Sequence, residues 1–133
     1  DIEARTKDEG WTPLQYAVET GNAVLVNWLL RMGADPEVTA ADGATALHIA
    51  AGSRSLMSAM LLLEAGAHPN VATDTGRTPL HIAMNAGHEN MVALLVQHGA
   101  SPTAEDRNGR TPRDVARGPE VILALDYGTC EGP

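Results

Sequence analysis

Apolar residues between positions 78 and 99 fall into two short groups at helical spacing, with a glycine between them. In the first group, Leu80 and Ala83 lie three residues apart, so their side chains share one face of a helix. The second group consists of Met91, Val92, Leu94 and Leu95, which form the apolar side of another helix. The pattern predicts two short helices joined by a tight turn at Gly87.

The residues at the ends of these groups are typical of helix boundaries. Thr78 can accept a hydrogen bond from a free backbone N–H of the first turn. Pro79 follows at the first helical position, where its missing N–H is not needed. Gly99 comes after the second group and predicts a left-handed cap. The segment is therefore a helix–turn–helix that is too small to bury its own apolar surface.

The same pattern recurs at an interval of 33 residues along the chain. The turn glycines are Gly10, Gly43, Gly76 and Gly109, and the capping threonines are Thr12, Thr45, Thr78 and Thr111. The small residues of the first helix are Ala17, Ala50, Ala83 and Ala116. The second helix ends in Gly33-Ala34, Gly66-Ala67 and Gly99-Ala100. A period of this length, with two helices and a turn-rich connector, indicates repeats that stack on one another.

On these columns the chain resembles the ankyrin-repeat family over nearly its whole length. The resemblance implies an all-α fold, an ankyrin-repeat solenoid of stacked helix–turn–helix pairs with β-turn connectors. A single domain would then comprise residues 1–6 as the tail of a preceding repeat, 7–38, 39–71 and 72–103 as repeats, 104–127 as a truncated capping repeat, and 128–133 as a tail. The missing initiator Met favours the hypothesis that the sequence is an excised piece of a longer protein.

The first repeat carries three specific expectations. Its helices should lie near 13–20 and 23–32. Trp28 stands in a column that is apolar in the next two repeats, which predicts packing of its side chain on the outer helix. If another repeat precedes this one, the face that carries Leu14 and Val18 should pack against it.

The second and fourth repeats depart from the pattern. Arg54 occupies the column of Gly21 and Gly87, where a left-handed conformation is expected and a side chain costs roughly 1 kcal/mol. Ser58 stands in a column that is otherwise apolar. These two positions predict that the second repeat is looser than its neighbours. The fourth repeat should have a shortened inner helix and a final helix near 120–127, as a terminal cap requires.

Composition narrows the classes of partner. The 133 residues carry a net charge of −8, with a pI near 4.9. Nucleic-acid binding depends on an excess of Lys and Arg, so no nucleic-acid partner is expected, and an acidic chain is disfavoured at an anionic membrane surface. Cys130 is the only cysteine and fits a reducing compartment. With no visible signal peptide, we expect a cytoplasmic or nuclear protein that is a monomer as an isolated fragment.

The residues that could carry chemistry do not combine into a reactive site. His48 and His81 occupy one column, so stacking would separate them by about 10 Å. A shared metal ion needs its ligands at about 2 Å. The resemblance implies instead that this histidine bonds to a neighbouring connector. Cys130 has no base beside it, and a solvated capping surface accounts for Asp114 and Glu120. We therefore expect no enzyme activity, no metal and no cofactor.

The resemblance places protein binding on a concave face that the inner helices and the connector tips form. Trp11, Arg77 and Arg110 share one column and should form a row across this face, with Trp11 on the surface; the alternative is that they are three unrelated surface residues. Trp and Arg are enriched at binding hot spots. The further candidates at tips and helix ends are Glu9, Glu19, Asp42, Asp74, Asn85, Arg107 and Asn108.

One stretch of the fourth repeat is rich in arginine. Arg107, Arg110, Arg113 and Arg117 supply four of the nine cationic residues within eleven positions. This cluster is either a solubilising cap or a positive end that receives a partner's acidic segment or C-terminus. Arginine suits the second role because it makes bidentate contacts with carboxylates.

The function that these expectations favour is the binding of a partner protein or peptide without catalysis. The alternative is a regulatory or targeting segment of a larger enzyme or channel, in which the partner is the same polypeptide. A structural spacer without a partner is the third hypothesis.

Overall fold

Residues 10–129, which the computed structural model describes apart from the side chains of 127–129, form helices and loops without a strand. The helices are α1 (Pro13–Glu19), α2 (Ala23–Arg31), α3 (Ala46–Ser53), α4 (Leu56–Glu64), α5 (Pro79–Ala86), α6 (Glu89–Gln97) and α7 (Pro119–Thr129). A 3-10 turn at Arg113–Val115 replaces the first helix of the fourth repeat. The predicted all-α fold of helix pairs is confirmed. The predicted tail at 1–6, the candidate Glu9 and Cys130 lie outside the described residues.

The helix boundaries follow the sequence closely. The helices of the first repeat end one residue before the predicted positions 20 and 32. The shortened inner helix of the fourth repeat is confirmed as the 3-10 turn. The last helix begins one residue earlier than predicted and continues to Thr129, so positions 128 and 129 of the predicted tail are helical.

The chain divides into two compact units, Asp1–His68 and Pro69–Pro133. In the first unit, α1 packs against α2 and α3 against α4, and these two pairs stack through α1 on α3 and α2 on α4. The largest side chains buried in this unit are Leu14, Leu47 and Leu62. Stacking of one helix pair on the next therefore supplies the core of the unit, as the repeat pattern predicts.

The second unit has its own core. Here α5 packs against α6, α7 packs against α6, and the 3-10 turn packs against α5. The buried side chains between these elements are Leu80, Met84, Met91, Leu95, Val121 and Leu125. The truncated fourth repeat thus covers both helices of the third repeat, which is the task of a capping repeat.

One column of polar side chains caps the first helix of every repeat. The threonine at each helix start donates its backbone N–H to the side chain three residues later. The acceptors are Gln15 Oε1 at 2.8 Å, His48 Nδ1 at 3.0 Å, His81 Nδ1 at 3.2 Å and Asp114 Oδ2 at 2.9 Å. Gln, His and Asp can all serve because each carries a side-chain acceptor that reaches this N–H.

Side chains also fix connectors to neighbouring elements within a unit. Gln15 Nε2 donates to the Val38 carbonyl oxygen at 2.9 Å. Asn70 bonds to the backbone around residues 99–101, because its Nδ2 donates to the Gly99 carbonyl oxygen at 3.0 Å and its Oδ1 accepts from the Ser101 N–H at 2.7 Å. These bonds satisfy backbone groups that the loops would otherwise leave unpaired.

The exposed apolar face of the first repeat is not the one predicted. Leu14 and Val18 are fully buried within the first unit, because α1 lies against both α2 and α3. Trp28 is 54% exposed, so the prediction that it packs on the outer helix is wrong. The stripe that α2 buries runs through Val26 and Leu29, and successive residues of a helix point about 100° apart. Trp28 therefore shares the exposed side of α2 with Val24, Leu25 and Met32.

The two irregular positions of the second repeat have the structure that the sequence predicts. Arg54 has φ +63° and is the one non-glycine residue with positive φ in the described part of the chain. Ser58 is buried, and its hydroxyl has no hydrogen-bond partner. Both features cost stability. That the second repeat opens more readily than its neighbours stays a prediction.

Replacing Arg54 by glycine should raise the free energy of unfolding by about 1 kcal/mol, because it removes the strain of a side chain in the left-handed region. The reverse change Gly87→Arg, at φ +76° and with no atom nearer than 3.6 Å to an added Cβ, should lower it by a similar amount. Urea denaturation measures both changes. A loss of stability in Arg54→Gly would contradict the assignment of strain.

Candidate functional site

In the second, third and fourth repeats, the connector that precedes the first helical segment forms a tight turn, which we call a tip. The tips lie at residues 40–44, 73–77 and 106–110 and are numbered by their repeat. In each tip the N–H of the first residue donates to the carbonyl oxygen of the fifth, at 2.8, 2.9 and 2.9 Å. The fourth residue is glycine, with φ +85°, +81° and +76°. Its left-handed conformation reverses the chain, as the spacing of the turn glycines predicts. We call 73–77 the third tip and 106–110 the fourth tip.

The third and fourth tips lie side by side in the second unit. The Arg107 N–H donates to the Thr75 carbonyl oxygen at 3.0 Å. A Cβ atom on Gly76 would come within 2.9 Å of the Arg107 nitrogen and 3.0 Å of the Asp106 Cα. Glycine at position 76 is therefore required for close packing as well as for the turn.

His81 on α5 connects its helix to the fourth tip by a hydrogen bond. Its Nδ1 accepts from the Thr78 N–H, and its Nε2 donates to the Arg110 carbonyl oxygen at 2.9 Å. A neutral ring with its proton on Nε2 satisfies both partners. The prediction that this histidine bonds to a neighbouring connector is confirmed for His81. The fourth tip is thus fixed to a buried side chain of a helix.

A buried carboxylate stabilises the fourth tip from inside. Asp106 Oδ1 accepts from the N–H groups of Asn108 at 2.8 Å and Arg110 at 2.9 Å, and Oδ2 lies 3.4 Å from Arg110 Nε. The Arg110 backbone N–H is the main cause that lowers the pKa of Asp106, and the Asn108 N–H and the Arg110 guanidinium act in the same direction. Thr73 holds the equivalent place in the third tip, where its hydroxyl accepts from the Arg77 N–H at 3.3 Å.

The two tips enclose a shallow depression of about 420 Å³. Its lining consists of Thr75, Arg77, Asp106, Arg107, Asn108 and Arg110. Three arginines and one aspartate therefore contribute to this lining. The carboxylate is already occupied by two backbone N–H groups and by Arg110. The charged residues of the lining are therefore mainly positive, in a chain whose net charge is −8.

Four of the predicted binding residues are brought together in this depression, namely Arg77, Arg107, Asn108 and Arg110. Asp74 and Asn85 are exposed in the same unit but do not line it. Glu19 and Asp42 are exposed in the first unit, where Asp42 Oδ1 accepts from the Ala44 N–H at 3.0 Å.

Trp11 also lies in the first unit. It is half-buried, and its ring packs edge-on against Tyr16 with 5.1 Å between ring centroids. The predicted surface position is therefore only partly correct, because packing against Tyr16 covers part of the indole. That Trp11 continues the row of Arg77 and Arg110 stays a prediction.

The arginine cluster divides into two pairs with different surroundings. Arg107 and Arg110 line the depression. Arg113 forms an ion pair with Asp126 on α7. The side chain of Arg117 lies beside Gly87, with its Cδ 3.8 Å from the position of an added Cβ. The four arginines are thus not one patch, although they are close in sequence.

Sequence reasoning missed Asp106, the residue on which the fourth tip depends. A signal was present, because Asp106 stands in the column of Thr73, and both side chains are short acceptors at the start of a turn. Its burial could not be foreseen, since that depends on how the neighbouring tip packs.

Among the described residues, no group of three His, Cys, Asp or Glu side chains could hold a metal ion. None of the helices in that part of the chain combines the length and the apolar character needed to cross a membrane.

Comparison with known proteins gives one clear relationship. A family model described as ankyrin repeats in three copies matches residues 1–73 and, in a second match, residues 61–125. Together the matches span 125 of the 133 residues and include both units. A comparison with curated protein sequences gives no significant match.

Gly76→Ala should lower the free energy of unfolding more than Gly99→Ala. A side chain at φ +81° is strained by about 1 kcal/mol, and the contacts at 2.9–3.1 Å with the fourth tip should add about 1–3 kcal/mol of overpacking. Gly99→Ala is the matched control, because it has φ +96° in the same unit with no atom within 4 Å. Urea denaturation compares the two; equal losses would show that the tips do not pack closely.

Because of Asp106, the free energy of unfolding should fall as the solution becomes acidic. Its pKa in the folded chain lies below the ordinary 3.8, so its contribution is complete above that value and is lost as the pH falls through the lowered pKa. Urea denaturation from about pH 6 down to about pH 3 should therefore show a steeper loss for the wild type than for Asp106→Asn. Parallel curves would contradict this.

Asp114→Asn serves as a comparison in that experiment. The Thr111 backbone N–H is the main cause that lowers the pKa of Asp114, so this variant should also flatten the curve. Because the two carboxylates bond to different backbone groups, the double variant should be flatter than either single variant.

Proposed function

The chain belongs to the ankyrin-repeat family, and from that premise we propose that it binds a partner protein through the third and fourth tips. Ankyrin repeats are generally protein–protein interaction modules. The tips belong to the surface that the sequence analysis assigned to a concave binding face. The protein in this proposal acts by binding and carries out no reaction of its own.

The observation that carries the proposal is the depression between the tips. Three arginine side chains and Asn108 line a recess of about 420 Å³. Arginine is one of the residue types that dominate binding energy at protein interfaces, where it contributes both packing and directed hydrogen bonds. The packing of the helices is complete without these side chains, because the cores of both units consist of other residues.

The tips are also held in place before a partner arrives. The fourth tip is fixed by the Asp106 bonds to its own backbone and by the bond from His81 on α5. The Arg107 N–H joins it to the third tip. A surface that is already ordered loses little conformational freedom on association, so a modest set of contacts can give useful affinity.

Affinity capture from extracts of the source cells tests the proposal. The wild-type chain and the variant Arg77→Gln/Arg110→Gln are used as baits, and captured proteins are compared by quantitative mass spectrometry. Proteins that depend on the tips should be lost with the variant. Each is then purified and titrated calorimetrically, where the variant should bind at least about tenfold more weakly, the effect expected of hot-spot residues.

The matched control is Arg31→Gln/Arg54→Gln, which removes the same charge from exposed positions of the first unit. It should retain the captured proteins and their affinities. If the tip variant keeps the same partners with unchanged affinity, the proposed binding surface is wrong.

A further inference from the structure

We infer that the depression between the third and fourth tips is a receptor for carboxylate side chains, and that the segment it binds in a partner protein is acidic. This inference rests on the proposed function and adds the chemistry of the partner. It depends on the donors that line the depression, on their local charge and on which of them the fold already uses.

The donors of Arg110 are only partly used inside the chain. Its side chain contacts Asp106 through Nε, which lies 3.4 Å from Oδ2, and the side chain is 46% exposed. The two terminal nitrogens of its guanidinium therefore keep their donors for another acceptor. A guanidinium presents these N–H groups in a planar fork that matches the two oxygens of a carboxylate.

Arg107 and Asn108 add donors on the same tip. Both side chains are exposed and line the depression. The backbone N–H groups of both residues are already bonded inside the second unit, to the Thr75 carbonyl oxygen and to Asp106 Oδ1. The conformation of the tip is thus fixed by the backbone, while the side chains that it carries remain available to a partner.

The local charge favours an acidic ligand although the chain as a whole is acidic. Arg77, Arg107 and Arg110 contribute three positive charges, and Asp106 contributes one negative charge, which leaves two in excess. Asp74 and Glu105 are exposed nearby but do not line the depression. Glu105 lies against the fourth tip, where its Oε1 is 3.7 Å from the position of an added Cβ on Gly109, so its charge offsets part of this excess. An acidic ligand is therefore favoured by direct contacts with the arginines of the lining, which can bind carboxylates with two parallel hydrogen bonds.

The arginine cluster supplies a matched pair of variants. Arg107→Gln/Arg110→Gln removes two charges from the depression. Arg113→Gln/Arg117→Gln removes two charges from the same segment, but these residues face Asp126 and Gly87 instead. Arg107→Gln alone is the third variant, and it leaves the ion pair of Arg110 with Asp106 intact. Urea denaturation of each variant verifies that it is folded at the assay temperature.

The probe is a fluorescein-labelled hexaglutamate peptide, and binding is followed by fluorescence anisotropy. The wild type should bind it, and Arg107→Gln/Arg110→Gln should bind at least about tenfold more weakly, as expected when bidentate charged contacts are removed. Arg107→Gln should weaken binding severalfold, whereas Arg113→Gln/Arg117→Gln should change it less than twofold. Binding should also weaken as NaCl is raised, because exposed charges are screened.

Five outcomes would overturn the inference. They are no binding of hexaglutamate by the wild type, equal binding of a hexaglutamine peptide, equal losses in the two double variants, stronger displacement of the peptide by inorganic phosphate than by NaCl at the same ionic strength, and tighter binding of a single-stranded oligonucleotide. The capture experiment is separate. Partners that are lost with Arg77→Gln/Arg110→Gln while hexaglutamate does not bind would leave the proposed function standing and reject the acidic ligand.

Discussion

The fold depends on a constraint on burial: one helix pair of this size cannot enclose its own apolar face. In the first unit, α1 meets α3 and α2 meets α4, and in the second unit α7 and the 3-10 turn cover the third pair. Leu14 and Leu47 in one unit, and Leu80 and Leu125 in the other, are buried only because a neighbouring element lies against them. Stability therefore arises between elements, and each repeat needs its neighbour to be stable.

Stacking also brings backbone groups of the connectors close to helices, where they need partners. Gln15 and His81 provide such partners in the same way. Each caps its own helix with one side-chain atom and bonds to a connector carbonyl oxygen with another. In the fourth repeat, Asp114 keeps the capping bond. His81, which belongs to a column that the sequence analysis weighed as a metal site, thus satisfies backbone groups and fixes the fourth tip.

The candidate site is a consequence of this arrangement. Because His81 and Asp106 hold the fourth tip, and Gly76 lets the third tip approach, the arginines at positions 107 and 110 project from a surface that is already ordered. Binding residues of this kind can vary without loss of the fold, since the bonds that hold the tips involve other atoms. The candidate residues could therefore be predicted from the positions that packing does not use, but the ligand chemistry proposed for them required knowledge of which donors remain available.

The sequence by itself determined the repeat length, the helix pairs, the capping columns and the left-handed positions, Arg54 included. These features follow from local sterics and hydrogen bonding within about one helical turn. Only the tertiary structure decided that Trp28 is exposed, that Asp106 is buried and that the arginine cluster divides into two pairs. Each of these depends on which neighbouring element covers a side chain. The residue types in one column show which side chains a position accepts, but they do not show which element packs against it.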